Sequence, residues 1–169
     1  MVFLAIVEIT RNEETMKKIL CLYQSLSRFD AVITDFGGSL LSLALRVFVG
    51  WQFFKAGLTK IVDWSVTLDL FKNEYHVPLL PPELAAFMGT SGELILPVLL
   101  LLGLLSRPAA LGLFVVNLMA VISYPQLFAF ECPAAINDHF YWGLLLIVVV
   151  AFWPGRFSVD SRLASTLKK

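Results

Sequence analysis

A small set of polar and ionisable side chains interrupts the long apolar stretches of this sequence. They are Arg46, Lys55, Lys60, Glu93, Asn117, Asp138 and His139. In hydrocarbon an ionisable group costs roughly 2.5–3.5 kcal/mol on insertion scales, so it normally faces a protein interior and has a partner. Arg46, Glu93 and Asn117, with Asp138 and His139 above them, predict a polar pocket that binds a polar head group, such as that of a quinone, or relays protons. The alternative is one buried ion pair, with Asn117, that fixes helix register without any chemistry.

Spacing along a helix limits which of these side chains can meet. Arg46 and Lys55 lie on opposite faces, because their separation in sequence corresponds to half a turn at about 100° per residue. We expect Arg46 to pair with Glu93 on another helix, since Arg46 shares a face with Gly50 and Gly57, where two helices can approach closely. Lys55 is expected to extend toward water instead.

Other kinds of site find less support. Glu and His are suitable proton carriers when burial tunes them, but His139 alone is more typical of an interfacial residue bonded to water. The sequence has no Gly-rich phosphate loop, nucleophile elbow, metal triad or C-x-x-C pair, and Cys21 and Cys132 stand alone. No cofactor motif is evident, and a net charge of zero does not indicate a nucleic-acid partner. An oxidoreductase function would therefore need a partner protein to exchange electrons.

Four apolar segments position these residues, each close to the roughly 20 residues that cross a hydrocarbon core. Hydrophobic residues make up 58% of the chain and charged residues only 15%, too few to cover a water-soluble surface. The predicted spans are 39–62, 85–105, 109–124 and 133–153. Because a spanning backbone must satisfy its own hydrogen bonds, each span is predicted to be helical. The predicted fold is an all-α membrane protein, an antiparallel bundle of four transmembrane helices.

The first 38 residues are predicted to precede this bundle as a separate region. Apolar residues recur at helical spacing between Met16 and Ile33, which indicates either an amphipathic helix at the membrane interface or a helix packed on the end of the bundle. Residues 1–15 do not have the pattern of a signal peptide, and we expect them to be a dispensable extension. Gly37-Gly38 is predicted to break the chain.

Basic residues divide unevenly between the two ends of the predicted bundle. One end carries Arg11, Lys17, Lys18, Arg28, Arg107, Arg156, Arg162, Lys168 and Lys169. The other end carries Lys72 alone. By the positive-inside rule both termini are cytoplasmic, N-in and C-in. Residues 39–162 then form the membrane domain, and 163–169 form a basic cytoplasmic tail.

The longer loops, 63–82 and 125–132, are predicted to face outward. The first of them has Trp64, Leu68, Phe71 and Tyr75 at helical spacing. This pattern predicts a short helix on the outer surface, which ends before Pro78 and caps the bundle or receives a partner.

Several short stretches together resemble the DoxX family of small four-helix membrane proteins. They are Leu45-Arg46, Phe53-Phe54-Lys55-Ala56-Gly57-Leu58-Thr59-Lys60, Gly92-Glu93-Leu94, Leu102-Gly103-Leu104-Leu105-Ser106-Arg107 and Pro154-Gly155-Arg156-Phe157-Ser158-Val159-Asp160. The resemblance covers residues 40–162 and implies a four-helix bundle in a bacterial inner membrane. Members of the family are linked to quinone-coupled sulfur oxidation and to membrane complexes that handle oxidative or thiol stress. The residues that the resemblance highlights are Arg46, Gly57, Lys60, Glu93, Arg107 and Asp160.

A finer resemblance lies in residues 75–82 and 116–125, which are similar to DoxX-type proteins encoded beside iron-dependent peptide-modifying enzymes in metal-stress operons. It implies a membrane subunit or scaffold in a redox- or metal-stress pathway, working with protein partners in a membrane complex or as a homo-oligomer. The alternative is a quinone-reactive subunit of a membrane oxidoreductase. A small transporter ranks third, because four helices are few for alternating access and the sequence has no evident inverted repeat.

Overall fold

All regular structure in the described part of the chain is helical. The computed structural model describes residues 2–128, 134–152 and 155–167, and it describes side chains from residue 16 onward except that of residue 32. The helices are α1 (Val2–Val32), α2 (Gly38–Val62), α3 (Trp64–Asn73), α4 (Pro82–Leu102), α5 (Ser106–Ser123), α6 (Ala134–Ala151) and α7 (Val159–Leu167). A π-helical turn, Ile33–Gly37, precedes α2, and a 3₁₀ turn, Pro125–Phe128, follows α5.

Four helical stretches among the described residues are long and apolar enough to cross a membrane. They are Met16–Val62, which contains α2, Pro82–Leu102, Ser106–Ser123 and Ala134–Ala151. The prediction of a four-helix, all-α membrane protein is therefore confirmed. The predicted start of the last span at Pro133 and its end at Trp153 lie outside the described residues, as does Cys132.

The first 38 residues form a compact unit of their own. The predicted helix from Met16 is part of the longer α1, and its side chains between Met16 and Ala31 are exposed. The predicted break at Gly37-Gly38 is wrong, because helical hydrogen bonding continues through the π-helical turn and α2 begins at Gly38. A π-helical turn keeps the backbone hydrogen-bonded, so glycine at this place does not end the helix. Placement of α1 at a membrane interface stays a prediction.

The second unit, from Ser39 onward, has its main core between α2, α4, α5 and α6. That core is built from Val49, Phe53, Leu100, Ala109, Ala110, Leu113, Leu146 and Val149. Glycines bring neighbouring helices close. A Cβ added at Gly57 would lie 2.9 Å from the side chain of Leu94, and one at Gly112 would lie 2.8 Å from that of Leu96. These contacts set the level of α2 and of α5 against α4.

The predicted surface helix in the first long loop is confirmed as α3. Asp63 begins it as a side-chain cap, accepting a hydrogen bond from the backbone N–H of Val66 at 3.1 Å. The Ser65 hydroxyl and then the Val66 amide hydrogen bond to this carboxylate and lower the pKa of Asp63. Phe71 anchors the other end of α3 by packing on Ala85 and Ala86 of α4. We call this end of the bundle the α3 end.

The opposite end of the bundle carries α7, a helix that the sequence analysis did not predict. Residues 163–169 are predicted as a basic tail, but α7 runs through Leu167 and begins at Val159. Its first turn is bonded to the α4–α5 connection, where the Asp160 amide donates to the Gly103 carbonyl at 2.9 Å. We call this end the α7 end.

Candidate functional site

Each of the four core helices contributes at least one polar side chain to a common level near the α3 end. We call this group the polar layer: Lys60 of α2, Thr90 and Glu93 of α4, Asn117 of α5 and His139 of α6. Contacts between neighbouring helices show that these residues lie at the same height along the bundle. A Cβ at Gly57 would lie 3.1 Å from the Glu93 Cβ, and one at Gly92 would lie 3.1 Å from Val116, the residue before Asn117.

Lys60 and Glu93 form the charged part of the polar layer. The Lys60 Nζ lies 2.6 Å from Oε1 and 2.5 Å from Oε2 of Glu93, so both carboxylate oxygens accept from one ammonium. The Glu93 side chain is only 9% exposed and that of Lys60 is 22% exposed. A buried carboxylate is costly without a counter-charge, and Lys60 supplies it.

The predicted pair between Arg46 and Glu93 is wrong, and helix register gives the reason. Gly57 of α2 packs against Glu93, so a partner for Glu93 must lie near Gly57 on the same face. Lys60 is three residues beyond Gly57, which satisfies this condition. Arg46 is eleven residues before Gly57, which puts it roughly 16 Å away along the helix axis at 1.5 Å per residue.

Asn117 and His139 form a second, uncharged pair in the polar layer. The Asn117 amide Nδ2 donates to the His139 backbone carbonyl at 2.9 Å, and its Oδ1 lies 2.8 Å from the His139 Nδ1. The imidazole packs edge-on against Trp142 with ring centroids 5.1 Å apart. His139 also lies within electrostatic range of Lys60.

Two buried hydroxyls near the α3 end have no hydrogen-bond partner among the described residues, those of Thr90 and Ser123. Thr90 is 4% exposed and lies one turn from Glu93 on the same face of α4. Pro97, four residues after Glu93 in α4, has no backbone N–H and so cannot make the usual helical hydrogen bond to the Glu93 carbonyl. A buried hydroxyl without a partner costs about 1–3 kcal/mol, which points to a ligand or water at this place.

Three aromatic rings stand beside the polar layer at the α3 end. Tyr75 meets Phe71 edge-on at 4.9 Å and Tyr124 edge-on at 5.1 Å between ring centroids. Burial raises the pKa of the Tyr75 phenol, and the neighbouring Tyr124, Glu74 and Glu93 raise it further. Tyr75 therefore stays protonated at neutral pH and keeps its O–H as a donor.

The structure places the remaining predicted site residues elsewhere. Lys55 and Asp138 are exposed, and the extension of Lys55 toward water stays a prediction. Arg107 is exposed at the start of α5. No three His, Cys, Asp or Glu side chains within the described ranges come close enough to hold a metal ion.

Arg46 belongs to a different cluster, at the α7 end. It is fully buried, and its guanidinium donates to the backbone carbonyls of Ser42 at 3.3 Å, Leu100 at 3.5 Å and Phe157 at 2.7 Å. Leu100 lies in the last turn of α4, where the helix dipole favours a cation. Arg46 thus joins α2, the end of α4 and the segment before α7.

Asp160 is the acidic counterpart of Arg46 at the α7 end. Its carboxylate accepts from the backbone N–H groups of Leu105 and Ser106, both at 2.9 Å, and from the Ser106 hydroxyl at 2.8 Å. These are the free donors at the start of α5, whose own first residue supplies no side-chain cap. Burial alone would raise the pKa of Asp160, but the bonds from Ser106 and Leu105 and the charge of Arg46 together lower it.

Asp160→Asn is expected to lower the free energy of unfolding by about 1 kcal/mol at pH 7, as loss of a helix cap does. Because the folded-state pKa is lowered, the contribution is present above the unfolded value of about 3.9 and is lost as the pH falls through the folded pKa. Thermal unfolding in detergent at pH 7 and at pH 3 measures the difference between the two proteins. Asp69→Asn, on the exposed side of α3, is the control. A difference that stays the same at pH 3 would contradict this role.

Comparison with known proteins assigns the family. Residues 41–126 match the DoxX family, and this segment makes up half of the chain. This chain belongs to the DoxX family. The matched segment contains Arg46, Lys60, Glu93 and Asn117, so both polar clusters begin within it. An uncharacterized protein of Haemophilus influenzae is 26% identical to this DoxX-family chain over 136 residues, which is 78% of this chain and 89% of that protein. No solved structure matches the chain.

Proposed function

We propose that this DoxX-family protein is a membrane subunit of a redox- or metal-stress pathway in the bacterial inner membrane, and that its polar layer receives the head group of a quinone. The observation that carries the proposal is the Thr90 hydroxyl, which is buried beside the Lys60–Glu93 ion pair and has no partner among the described residues. A proton-exchanging ligand with polar oxygens on a flat ring suits such a site.

The residues present fit a quinone in three ways. Thr90 and Tyr75 offer hydroxyl groups, and the Glu93 carboxylate lies beside them to accept a hydrogen bond or a proton. The rings of Phe71, Tyr75 and Tyr124 offer apolar edges beside these groups. The apolar side chains that are exposed on the helices would contact the hydrocarbon tail of the quinone. When bound, the quinone would supply two-electron chemistry, with electrons exchanged with a redox group of a partner protein.

The uneven distribution of basic residues supports the N-in, C-in orientation in this proposal. The α7 end then faces the cytoplasm, and the polar layer lies in the outer half of the membrane. A ligand would enter the layer from the lipid near the outer surface, and protons would exchange on that side.

Thr90→Val tests the proposal most directly. It removes the hydroxyl while keeping the shape of the side chain, so stability is expected to stay the same or rise, whereas bound quinone is expected to fall by about tenfold. The measurement is quinone per protein after purification in mild detergent, by mass spectrometry of the solvent extract. Thr59→Val is the matched control, because the Thr59 hydroxyl is exposed and already bonded to the Lys55 carbonyl. Absence of quinone from the native protein, or equal quinone in Thr90→Val, would contradict the proposal.

A scaffold without a quinone is the second candidate, and the α3 end favours it. Val66 is 53% exposed on α3, and Leu79, in the loop after it, is fully exposed with a left-handed φ of 67°. Exposed apolar side chains beside a short helix suit a protein partner. The same purification decides between the two: a peptide-modifying or metal-handling partner in stoichiometric amount, without quinone, would support the scaffold.

A further inference from the structure

The structure assigns a chemical preference to the polar layer: we infer that Asn117 fixes the His139 imidazole with its proton on Nδ1, which leaves Nε2 as an acceptor and makes the layer select a ligand with hydroxyl donors. For the proposed head group this means the reduced quinol in preference to the oxidised quinone. The inference rests on the proposed function for the identity of the ligand, but the state of His139 stands on geometry alone.

The orientation of the Asn117 amide is determined by its two contacts. The His139 backbone carbonyl can only accept, so the group 2.9 Å from it must be the Asn117 NH₂. The Asn117 carbonyl oxygen therefore faces the His139 ring, 2.8 Å from Nδ1. The opposite orientation would place two oxygens against each other and an NH₂ group against the ring nitrogen.

The Asn117 oxygen in turn determines the tautomer of His139. A carbonyl oxygen can only accept, so Nδ1 must carry the proton. A histidine with an ordinary pKa of about 6.5 is mostly neutral at pH 8, and its Nε2 then has a free lone pair. Trp142 packs against the imidazole, and a Cβ added at Gly143 would lie 3.3 Å from the Asn117 Nδ2, so α6 and the Asn117 amide are in close contact and the ring is held in place.

Two groups in the polar layer that remain for a ligand, the Glu93 carboxylate and the His139 Nε2, can only accept a hydrogen bond. Lys60 directs its ammonium to both oxygens of Glu93, whose carboxylate still has lone pairs to offer. His139 adds Nε2 as a second acceptor, whereas the Thr90 and Tyr75 hydroxyls can donate or accept and do not discriminate. A quinone presents only carbonyl acceptors, and a quinol presents two O–H donors. The layer therefore complements the reduced form.

The tautomer can be observed without any ligand. The chain has two histidines, so His76→Gln leaves His139 as the sole imidazole. His76 is suitable for replacement because its side chain is exposed and its contact to Ser123 is made by the backbone N–H. ¹⁵N NMR of the histidine-labelled protein in phosphatidylcholine nanodiscs at pH 8 is expected to show a protonated Nδ1 and an unprotonated Nε2. An unprotonated Nδ1 with a proton on Nε2 would overturn the inference.

Binding of both redox forms tests the preference itself. Native protein in the same nanodiscs, under argon, is expected to bind decylubiquinol about tenfold more tightly than decylubiquinone, the effect of one well-made buried hydrogen bond. Asn117→Leu removes the group that holds the tautomer, so the ratio is expected to fall toward one. Asn73→Leu, an exposed asparagine bonded to Asp69, is the matched control and is expected to keep the native ratio.

The outcomes separate the two proposals. Equal affinities for both forms in the native protein would overturn the selectivity and leave the quinone site standing. Binding of neither form would overturn the quinone site. An unchanged ratio in a folded Asn117→Leu protein would show that Asn117 does not position His139. If that variant does not fold, the NMR result and the native ratio still decide the inference.

Discussion

Lys60→Met is expected to lower the free energy of unfolding by about 3 kcal/mol. The substitution leaves the Glu93 carboxylate buried without a counter-charge, which is the costly way to break a buried ion pair. Lys55→Met, on the same helix but exposed, is expected to change stability by less than about 0.5 kcal/mol. Unfolding of the purified proteins in mixed micelles of increasing denaturing detergent measures both changes.

A double substitution makes the test specific to the pair. Lys60→Met with Glu93→Leu removes both charges, so most of the loss seen in Lys60→Met is expected to be recovered. The coupling free energy between the two positions is then at least about 1 kcal/mol. No recovery, or an equal loss in Lys55→Met, would show that Lys60 does not hold the charge of Glu93. Since Arg46 lies at the other end of the bundle, it cannot compensate for Lys60.

Gly103→Ala is expected to destabilise the protein by more than about 2 kcal/mol. Gly103 ends α4 with a left-handed φ of 68°, which a residue with a Cβ adopts only at a cost. The added Cβ would also lie 2.6 Å from the Ser158 Cβ and 2.8 Å from its Cα, and it would meet the Arg46 guanidinium. Backbone cannot yield as a flexible side chain can, so the segment before α7 must move away.

Gly89→Ala is the matched control for this glycine. Gly89 lies inside α4, and an added Cβ would meet only the Phe71 ring at an ordinary distance of 3.7 Å. Alanine is the better helix former by about 1 kcal/mol, so Gly89→Ala is expected to be neutral or stabilising. Thermal unfolding and limited proteolysis near α7 measure both variants. Equal stability of the two variants would contradict the conclusion that the end of α4, Arg46 of α2 and the segment before α7 pack together at Gly103.

The membrane fold could be predicted from the sequence because its constraints are local. A spanning segment must be apolar, about 20 residues long and helical, and each of these properties is visible in a window of the chain. The ends of helices were predicted less well. The second span was expected to reach 105, but α4 ends at Leu102 because Gly103 adopts the left-handed conformation that closes a helix.

The sequence predicted most of the residues that belong to the site, but not which of them bond to each other. Glu93, Asn117 and His139 do come to one level, as the pocket hypothesis supposed, but Lys60 joins them in place of Arg46. Arg46 and Gly57 do lie on one face of α2. A contact with α4, however, depends on the position of a residue along the helix axis as much as on its face. The missing register is given by Gly57, because the point where two helices approach most closely determines which of their residues lie beside each other.

Other features had no signal in the sequence. That the Thr90 hydroxyl has no partner among the described residues is a property of the packing around it, not of residue 90 or its neighbours in sequence. The role of Asp160 depends on Leu105 and Ser106, more than fifty residues earlier in the chain. The resemblance to the DoxX family highlighted Asp160, but only the structure shows that it caps a helix.

The cap that Asp160 provides has a consequence for how the protein is made. A ribosome synthesises Asp160 54 residues after Ser106, once the whole of α5 and α6 has been translated. Until then the amide groups at the start of α5 and the guanidinium of Arg46 must be solvated by water or lipid head groups. The α7 end can therefore close only after the spanning helices α2, α4, α5 and α6 have all been synthesised.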